Sequence, residues 1–325
     1  MKLLKIIMGD LVNSRIKTFI KRLFPEKCIY YYRVMQVMPQ YLRTVIKLKH
    51  YTNDKIIICS DDETISLITN QRYSLCRFGD GEFQWMLDEG KQYFQDQSDG
   101  LKMRLQEVFS SEVENLLIGI PKGVFDSSNC NLQAKMYWEI INRSHMQCIM
   151  KMAGNNHKFA DASISRPYID YKSREYSKRK FKELQRIWNK RDLVIVEGSG
   201  TKLGIGNDLL DNANSISRII CPPKNAFARI DEIEDAIIRC VDKRNQLVLV
   251  ALGPTATIIA YDMCKVGYQV VDIGHVDVEY VWYLRRDLYR KPIEGKSVNE
   301  SGNISFSDTY DCEKKYIDSI LTKIL

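Results

Sequence analysis

Tyr73-Ser74-Leu75-Cys76-Arg77-Phe78-Gly79-Asp80-Gly81-Glu82 runs from a short apolar segment into glycines that alternate with acids, and a helical pattern opens at Phe83. That succession predicts a buried strand, a tight turn and a helix, the repeating unit of α/β sheets. Gly79 and Gly81 lack a Cβ, so a ligand can come close to the backbone. Asp80 and Glu82 stand at i and i+2, and an extended or tightly turned chain brings such a pair to one side. Two hard oxygen donors with room for phosphate suit Mg²⁺ or Mn²⁺, which completes its shell with phosphate and water. The same residues also fit a helix cap and, at Arg77, a surface ion pair.

Outward from this turn, the second half of the chain repeats the strand-to-helix pattern. Residues 193–196 are a continuous apolar run, as a buried parallel strand requires. Gly198, Gly200, Gly204 and Gly206 follow. Their spacing is neither G-x-G-x-x-G nor a P-loop, which excludes both named nucleotide motifs. A glycine-rich turn feeding a helix near Asn207 would still offer backbone N–H groups to a diphosphate, with Thr201 and Lys202 as side-chain donors. The alternative is a flexible loop with a cap at Asn207 or Asp208. Residues 217–221 form the next strand, and Asn225 and Phe227 after it are candidates to contact a nucleotide and stack on its base. Residues 247–252 are another strand, and Gly253-Pro254-Thr255 opens a helix to Lys265, a second phosphate-compatible start. Residues 269–273 lead to Gly274-His275-Val276-Asp277-Val278-Glu279. If that stretch is extended, His275, Asp277 and Glu279 share a face. One carboxylate could then serve as general base, with His275 orienting it, or the second D-x-E could hold the metal. If a helix begins at Asp277, the acids cap it and face its dipole.

The first half is less regular. Residues 1–24 place Leu4, Met8, Leu11, Ile16, Phe19 and Leu23 near one helical face with lysines and arginines elsewhere, a pattern for an anionic membrane surface or for packing on the protein. Residues 30–51 continue as helix with an expected break at Pro39. Strands are expected at 56–59 and 116–120, and helices at 61–68, 83–89, 101–113, 132–142 and 230–242. Residues 159–171 show no clean period and read as a loop whose Ser163, Ser165, Arg166 and Tyr168 could reach a phosphate or sugar. Residues 172–191 read as a helix with a basic face. The fold class expected is α/β: a Rossmann-like, mostly parallel sheet with helices on both faces, plus a helical N-terminal extension. The division is a basic helical extension at 1–60 and a catalytic domain at 61–325.

Composition narrows the function classes. The chain has 325 residues, 45% hydrophobic and 27% charged, enough to bury a real core. Nine scattered cysteines form no C-x-x-C pair and four histidines show no zinc spacing, which points to a reducing compartment without structural zinc. The formal charge of +7 favours anionic partners without choosing among them. No apolar run reaches membrane-spanning length, and no small-residue cleavage site follows the N-terminus. A cytoplasmic protein is expected, at most peripheral to the inner face of the membrane. Basic residues without aromatic interleaving or a recognised motif argue against nucleic acid.

RFGDGE (77–82), TKLGIGNDLLDN (201–212), ALGPTATIIAYD (251–262) and DIGHVDVEY (272–280), in that order, resemble the GT-D-fold glycosyltransferases of bacteria. The resemblance runs from about residue 62 to 300. It implies transfer of a sugar from a nucleotide diphosphate donor, a UDP-sugar by analogy, with a divalent metal on an Asp-x-Glu motif that maps onto Asp80 and Glu82. It also implies a glycan, lipid-linked or glycoprotein acceptor. The expected donor contacts are Arg77, Gly79, Gly81, Thr201, Lys202, Gly204, Gly206, Asn207, Asn225, Gly253 and Thr255, and the expected base is Asp277 or Glu279 with His275. A metal-dependent phosphohydrolase or nucleotidyltransferase would use the same parts. A non-catalytic binder of an anionic ligand or membrane would use the basic segments alone.

Overall fold

The computed structural model describes residues 26–90, 94–298 and 313–324. The basic pattern of residues 1–24 lies outside the described residues. The chain enters on α1 (Glu26–Lys47), which runs through Pro39 without a break. Beyond it, strands and helices alternate: β1 (Ile57–Ile58), α2 (Asp61–Asn70), β2 (Ser74–Arg77), α3 (Asp80–Met86), α4 (Asp99–Ser110), β3 (Leu116–Ile120), α5 (Leu132–Ile141), α6 (Gln147–Met152), β4 (Lys158–Asp161) and α7 (Arg174–Trp188). The second half holds β5 (Asp192–Gly198), β6 (Ser215–Cys221), α8 (Ile230–Cys240), β7 (Gln246–Ala251), α9 (Pro254–Lys265), β8 (Val270–Asp272), α10 (Val276–Arg285), α11 (Glu313–Asp318) and β9 (Ile320–Lys323).

Local chemistry sets the helix starts. Ser60, Ser98, Asn131 and Ser173 each accept a backbone N–H from the first turn of α2, α4, α5 and α7, and Pro254 opens α9, where its missing N–H costs nothing.

The nine strands form one sheet in the order β1-β4-β3-β2-β8-β7-β5-β6-β9, every pair parallel. Parallel strands need a crossover each, and the helices that supply it cover both faces. Alternate residues of the central strands therefore enter two different cores. Val194, Val196, Val248 and Val250 pack with α4, α5, α8 and α9. Leu193, Ile195, Leu247 and Leu249 pack with α2, α7 and α10. The chain leaves β2 toward β3 and β4, whereas β8 arrives from β7 on the other side, so β2 and β8 flank a point where the winding changes direction. In open α/β sheets ligands bind beyond the carboxyl ends of strands at such a point.

The fold class follows the sequence reading, with five corrections. Pro39 does not end the first helix. Residues 57 and 58 pair with β4, so the sheet begins before the boundary drawn at residue 60. Residues 158–161, read within or beside a loop, are an interior strand. No helix starts at Asn207: residues 203–214 are turns and bends, entered through positive φ at Lys202, Gly204 and Gly206. One of the two expected helix N-termini for a diphosphate is therefore absent. α11 and β9 extend the sheet past the strand the sequence marks as last.

Candidate active site

β2 ends at Arg77, and the chain turns through Gly79 into α3. Arg77 is aimed across the sheet: its Nε donates to the Asp272 carbonyl at 2.9 Å and its Nη2 to Asp272 Oδ1 at 2.7 Å. Gly274 is obligatory under this guanidinium, since its φ is +46° and a Cβ there would lie 2.0 Å from Nη2. Burial pushes the Asp272 carboxyl up, and Arg77 beside it draws it back down. The sequence left Arg77 a diphosphate or a carboxylate as partner; the carboxylate is Asp272.

The two acids of the turn point to different places. Asp80 lines a cavity of about 190 Å³ and accepts a hydrogen bond from Tyr137 Oη at 2.6 Å. Burial, and then Asp80, raise the Tyr137 phenol above its ordinary range. Glu82 folds back over the turn, where its Oε2 accepts the Gly79 N–H at 2.8 Å, the arrangement of a capping box. Although Glu82 as a whole is half-buried, its carboxyl is enclosed, and that desolvation pushes it up to about 7.

The cavity sits beyond β2, β3 and β4 and is closed by α1, α5 and the segment after α10. Its wall carries Arg33 from α1, Arg77, Arg166 after β4 and Arg290 after α10, with Asp80 and Asp170 as its carboxylates. Arg33 lies over the Tyr289 ring at 4.8 Å. Burial, and then the charge of Arg290, lower its pKa. Arg290 Nη2 donates to Asp170 Oδ1 at 3.3 Å, and Arg166 Nη2 lies 3.1 Å from His275 Nδ1. Like charges held together in a pocket destabilise one another until an anion enters between them.

Asp277 and Glu279 are placed as tethers. Asp277 is 2% exposed and accepts from the Gly204 N–H at 2.9 Å, from Asn207 Nδ2 at 2.7 Å and from Lys296. It therefore fixes the glycine-rich loop, which the buried Glu197 and Arg218 pair grips from the other side through both backbone groups of Leu203. Glu279, fully buried, accepts the Tyr168 and Ile169 N–H groups at 3.0 and 2.8 Å. It holds the loop that carries Arg166 and Asp170 into the cavity. Neither carboxylate lines the cavity.

The remaining expected donor contacts spread along the same sheet edge. Thr201 and Gly253 line a smaller space of about 60 Å³ beyond β5, β6 and β7. Thr255 is fully buried nearby, and its Oγ1 has no hydrogen-bond partner among the described residues. Lys202 reaches over the Tyr316 ring. Asn225, in the left-handed region, binds the backbone and side chain of Asp96. Gly206 stands open and Gly81 backs onto Trp85. Phe227 packs against the core. Arg33, Tyr137, Asp170 and Arg290 are absent from the sequence reading because they come from four separate elements, and no local spacing joins them.

A parallel α/β sheet whose carboxyl edge carries glycine turns and a basic cavity defines a Rossmann-like protein. The chain belongs to the GT-D-fold glycosyltransferases: the family described as Glycosyltransferase GT-D fold matches residues 75–301. It is 37% identical over 230 residues to Glycosyltransferase GlyD of Streptococcus pneumoniae serotype 4, covering 70% of this chain and 28% of that one. It is 35% identical over 230 residues to the Probable glycosyl transferase Gly of Streptococcus gordonii, covering 70% of this chain and 33% of that one. The chain thus spans about a third of the length of these curated relatives. Among solved structures it resembles a glycosyltransferase (DUF1792) from Streptococcus sanguinis, with TM-score 0.76 and 31% identity over 83% of this chain and 100% of that one. A second, described as domain of unknown function 1792 with a distinct glycosyltransferase fold, matches at TM-score 0.74 and 32% identity over 83% of this chain and 96% of that one.

Proposed function

We propose that this chain transfers a hexose from a nucleoside diphosphate donor, a UDP-sugar by family resemblance, to a glycan, lipid-linked or glycoprotein acceptor, assisted by Mg²⁺ or Mn²⁺. Four arginines and two carboxylates meeting on one cavity wall carry this assignment. Arg33, Arg166 and Arg290 suit a diphosphate, which forked guanidiniums bind in two-point fashion, while the fork of Arg77 is held by Asp272. Asp80, which faces the cavity, would hold the cation, and Glu82 would join it only by turning away from the Gly79 N–H. Among the described residues no cluster of three or more metal-ligating side chains exists. That fits a cation which takes one or two carboxylates and fills its shell with phosphate and water. Once bound it would supply charge that stabilises the departing diphosphate.

The protein's own groups do the rest. Arg33 and Arg290 bind and orient the donor, and Glu279 and Asp277 hold the loops that frame it. Asp170, the second carboxylate on the wall, is assigned here as the base that takes the acceptor proton, in place of Asp277 or Glu279. Membrane contact through residues 1–24 belongs to the same reading; no described helix is long and apolar enough to cross a bilayer.

The test is release of UDP from UDP-sugars with Mn²⁺. A transferase frees UDP slowly by hydrolysis and faster once acceptor is added. From the same donor a phosphohydrolase frees UMP and sugar 1-phosphate, a nucleotidyltransferase frees sugar 1-phosphate as it passes the UMP group to another acceptor, and a simple binder frees nothing. Binding itself is read by thermal shift, since a ligand at a hundred times its Kd stabilises by about 2.7 kcal/mol.

A further inference from the structure

α1 has two faces with different duties. Its inner side buries Ile29 and Val34 and presents Tyr30, Arg33 and Val37 to the cavity. Its outer side leaves Tyr31 59%, Met35 52%, Leu42 49% and Ile46 82% exposed. At 100° per residue the positions 31, 35, 42 and 46 fall within one narrow stripe, about four helical turns long. Single exposed apolar residues are ordinary on a protein surface, but a contiguous stripe marks a contact.

The charges beside the stripe are of one sign. Lys27, Arg43, Lys47 and Lys49 are exposed on or just beyond the helix. Its one acid is Glu26, and that residue is engaged by Lys291. An apolar stripe edged by basic residues, on a helix that does not qualify as a membrane span, has the build of an element that lies in the headgroup region of an anionic bilayer.

We infer that the outer face of α1 docks on an anionic phospholipid surface, with Tyr31, Met35, Leu42 and Ile46 in the acyl boundary and Arg43, Lys47 and Lys49 on the headgroups. A second copy of this chain would bury the same stripe only by bringing these like charges together. Because the inner face of α1 is part of the cavity wall, docking sets the lipid surface beside the candidate active site, where an acceptor held at that surface could reach it.

Flotation of the full chain with vesicles of 30% phosphatidylglycerol in phosphatidylcholine tests the inference, with pure phosphatidylcholine as control. Binding is expected to the anionic vesicles, weaker at 0.5 M NaCl. The pair Met35→Glu and Ile46→Glu should reduce it by about tenfold or more. Leu42→Gln with Ile46→Gln repeats the test without adding charge, and a cooperative melt checks that each variant folds. Lys178→Glu with Lys182→Glu, on the basic face of α7, should leave most of the binding in place. Absence of binding by the unaltered chain, or binding that survives both stripe variants, overturns the inference. So does a dimer in solution that the stripe variants dissolve while vesicle binding stays unchanged.

Discussion

Arg77 and Asp272 tie the end of β2 to the end of β8 through two hydrogen bonds, at 2.9 and 2.7 Å, across the point where the winding of the sheet reverses. Asp272 is 2% exposed, and the second oxygen of its carboxylate lies 3.5 Å from Thr257 Oγ1. Removing one member of a buried pair leaves the other charge without compensation. Arg77→Ala is therefore expected to cost about 3–5 kcal/mol, read as a lower urea midpoint with an unchanged m value. Gly274→Ala should destabilise as well, because its Cβ meets the guanidinium. If Arg77→Ala kept full stability and only weakened donor binding, Arg77 would be a ligand contact and not a clamp.

Asp80→Asn should abolish metal-dependent UDP release while leaving the melting temperature nearly unchanged, since Asp80 faces the cavity. Glu82→Gln should do two things. It weakens the cap by about 1 kcal/mol, and it removes a proton from the metal equilibrium. With Glu82 pushed up to about 7 by burial, a cation must displace its proton below that pH. Mn²⁺ affinity of the unaltered chain is then expected to fall by about tenfold per pH unit below 7. In Glu82→Gln the dependence should flatten. Calorimetric titration with Mn²⁺ and UDP at pH 6, 7 and 8 gives the answer, and a flat profile in the unaltered chain would remove Glu82 from the metal site.

Asp277→Asn separates a tether from a base. As a tether it should lower stability, because the buried Lys296 loses its counter-charge and Gly204 and Asn207 lose part of their anchor. Donor hydrolysis per folded molecule should then stay within about tenfold. A base would show the reverse: transfer down by about 10² to 10⁴-fold at unchanged stability. The latter pattern is expected for Asp170→Asn.

The parts legible in the sequence were those fixed by near neighbours in the chain. β5, β6 and β7 announce themselves because strands buried on both faces are apolar throughout. The D-x-E turn is visible because glycines and acids alternate. β4 escaped because Lys158-Phe159-Ala160-Asp161 is short and ends in a charge that is paired only in three dimensions, with Lys180. The glycine-rich loop was misread as a helix start because the backbone dihedrals of Lys202, Gly204 and Gly206 are not encoded by polarity. The cavity was the least legible feature. Arg33, Tyr137, Asp170 and Arg290 are separated by tens to hundreds of residues and become neighbours only when the sheet order is known.

The stability that Glu279 contributes depends on pH. Burial, and then the charge of Asp170, push its carboxyl up to about 7, while Arg166 and the Ile169 N–H pull in the opposite direction. Its Oε2 receives both loop amides, whereas Oε1 is buried without a hydrogen-bond partner among the described residues. Between the ordinary carboxyl value of about 4.3 and about 7, the folded chain holds this proton and the unfolded chain does not. Folding stability therefore falls as pH rises through that window and levels off above it. Glu82 adds a step of the same sign. Glu279→Gln keeps an oxygen for the two amides and has nothing to titrate, so its stability should fall less steeply with pH and match or exceed that of the unaltered chain at pH 8. Melting temperatures from pH 5 to pH 8 measure this directly. Parallel curves for the two proteins would mean that Glu279 is ionised throughout. The loop bearing Arg166 and Asp170 would then be anchored by charge, and its position would be insensitive to pH.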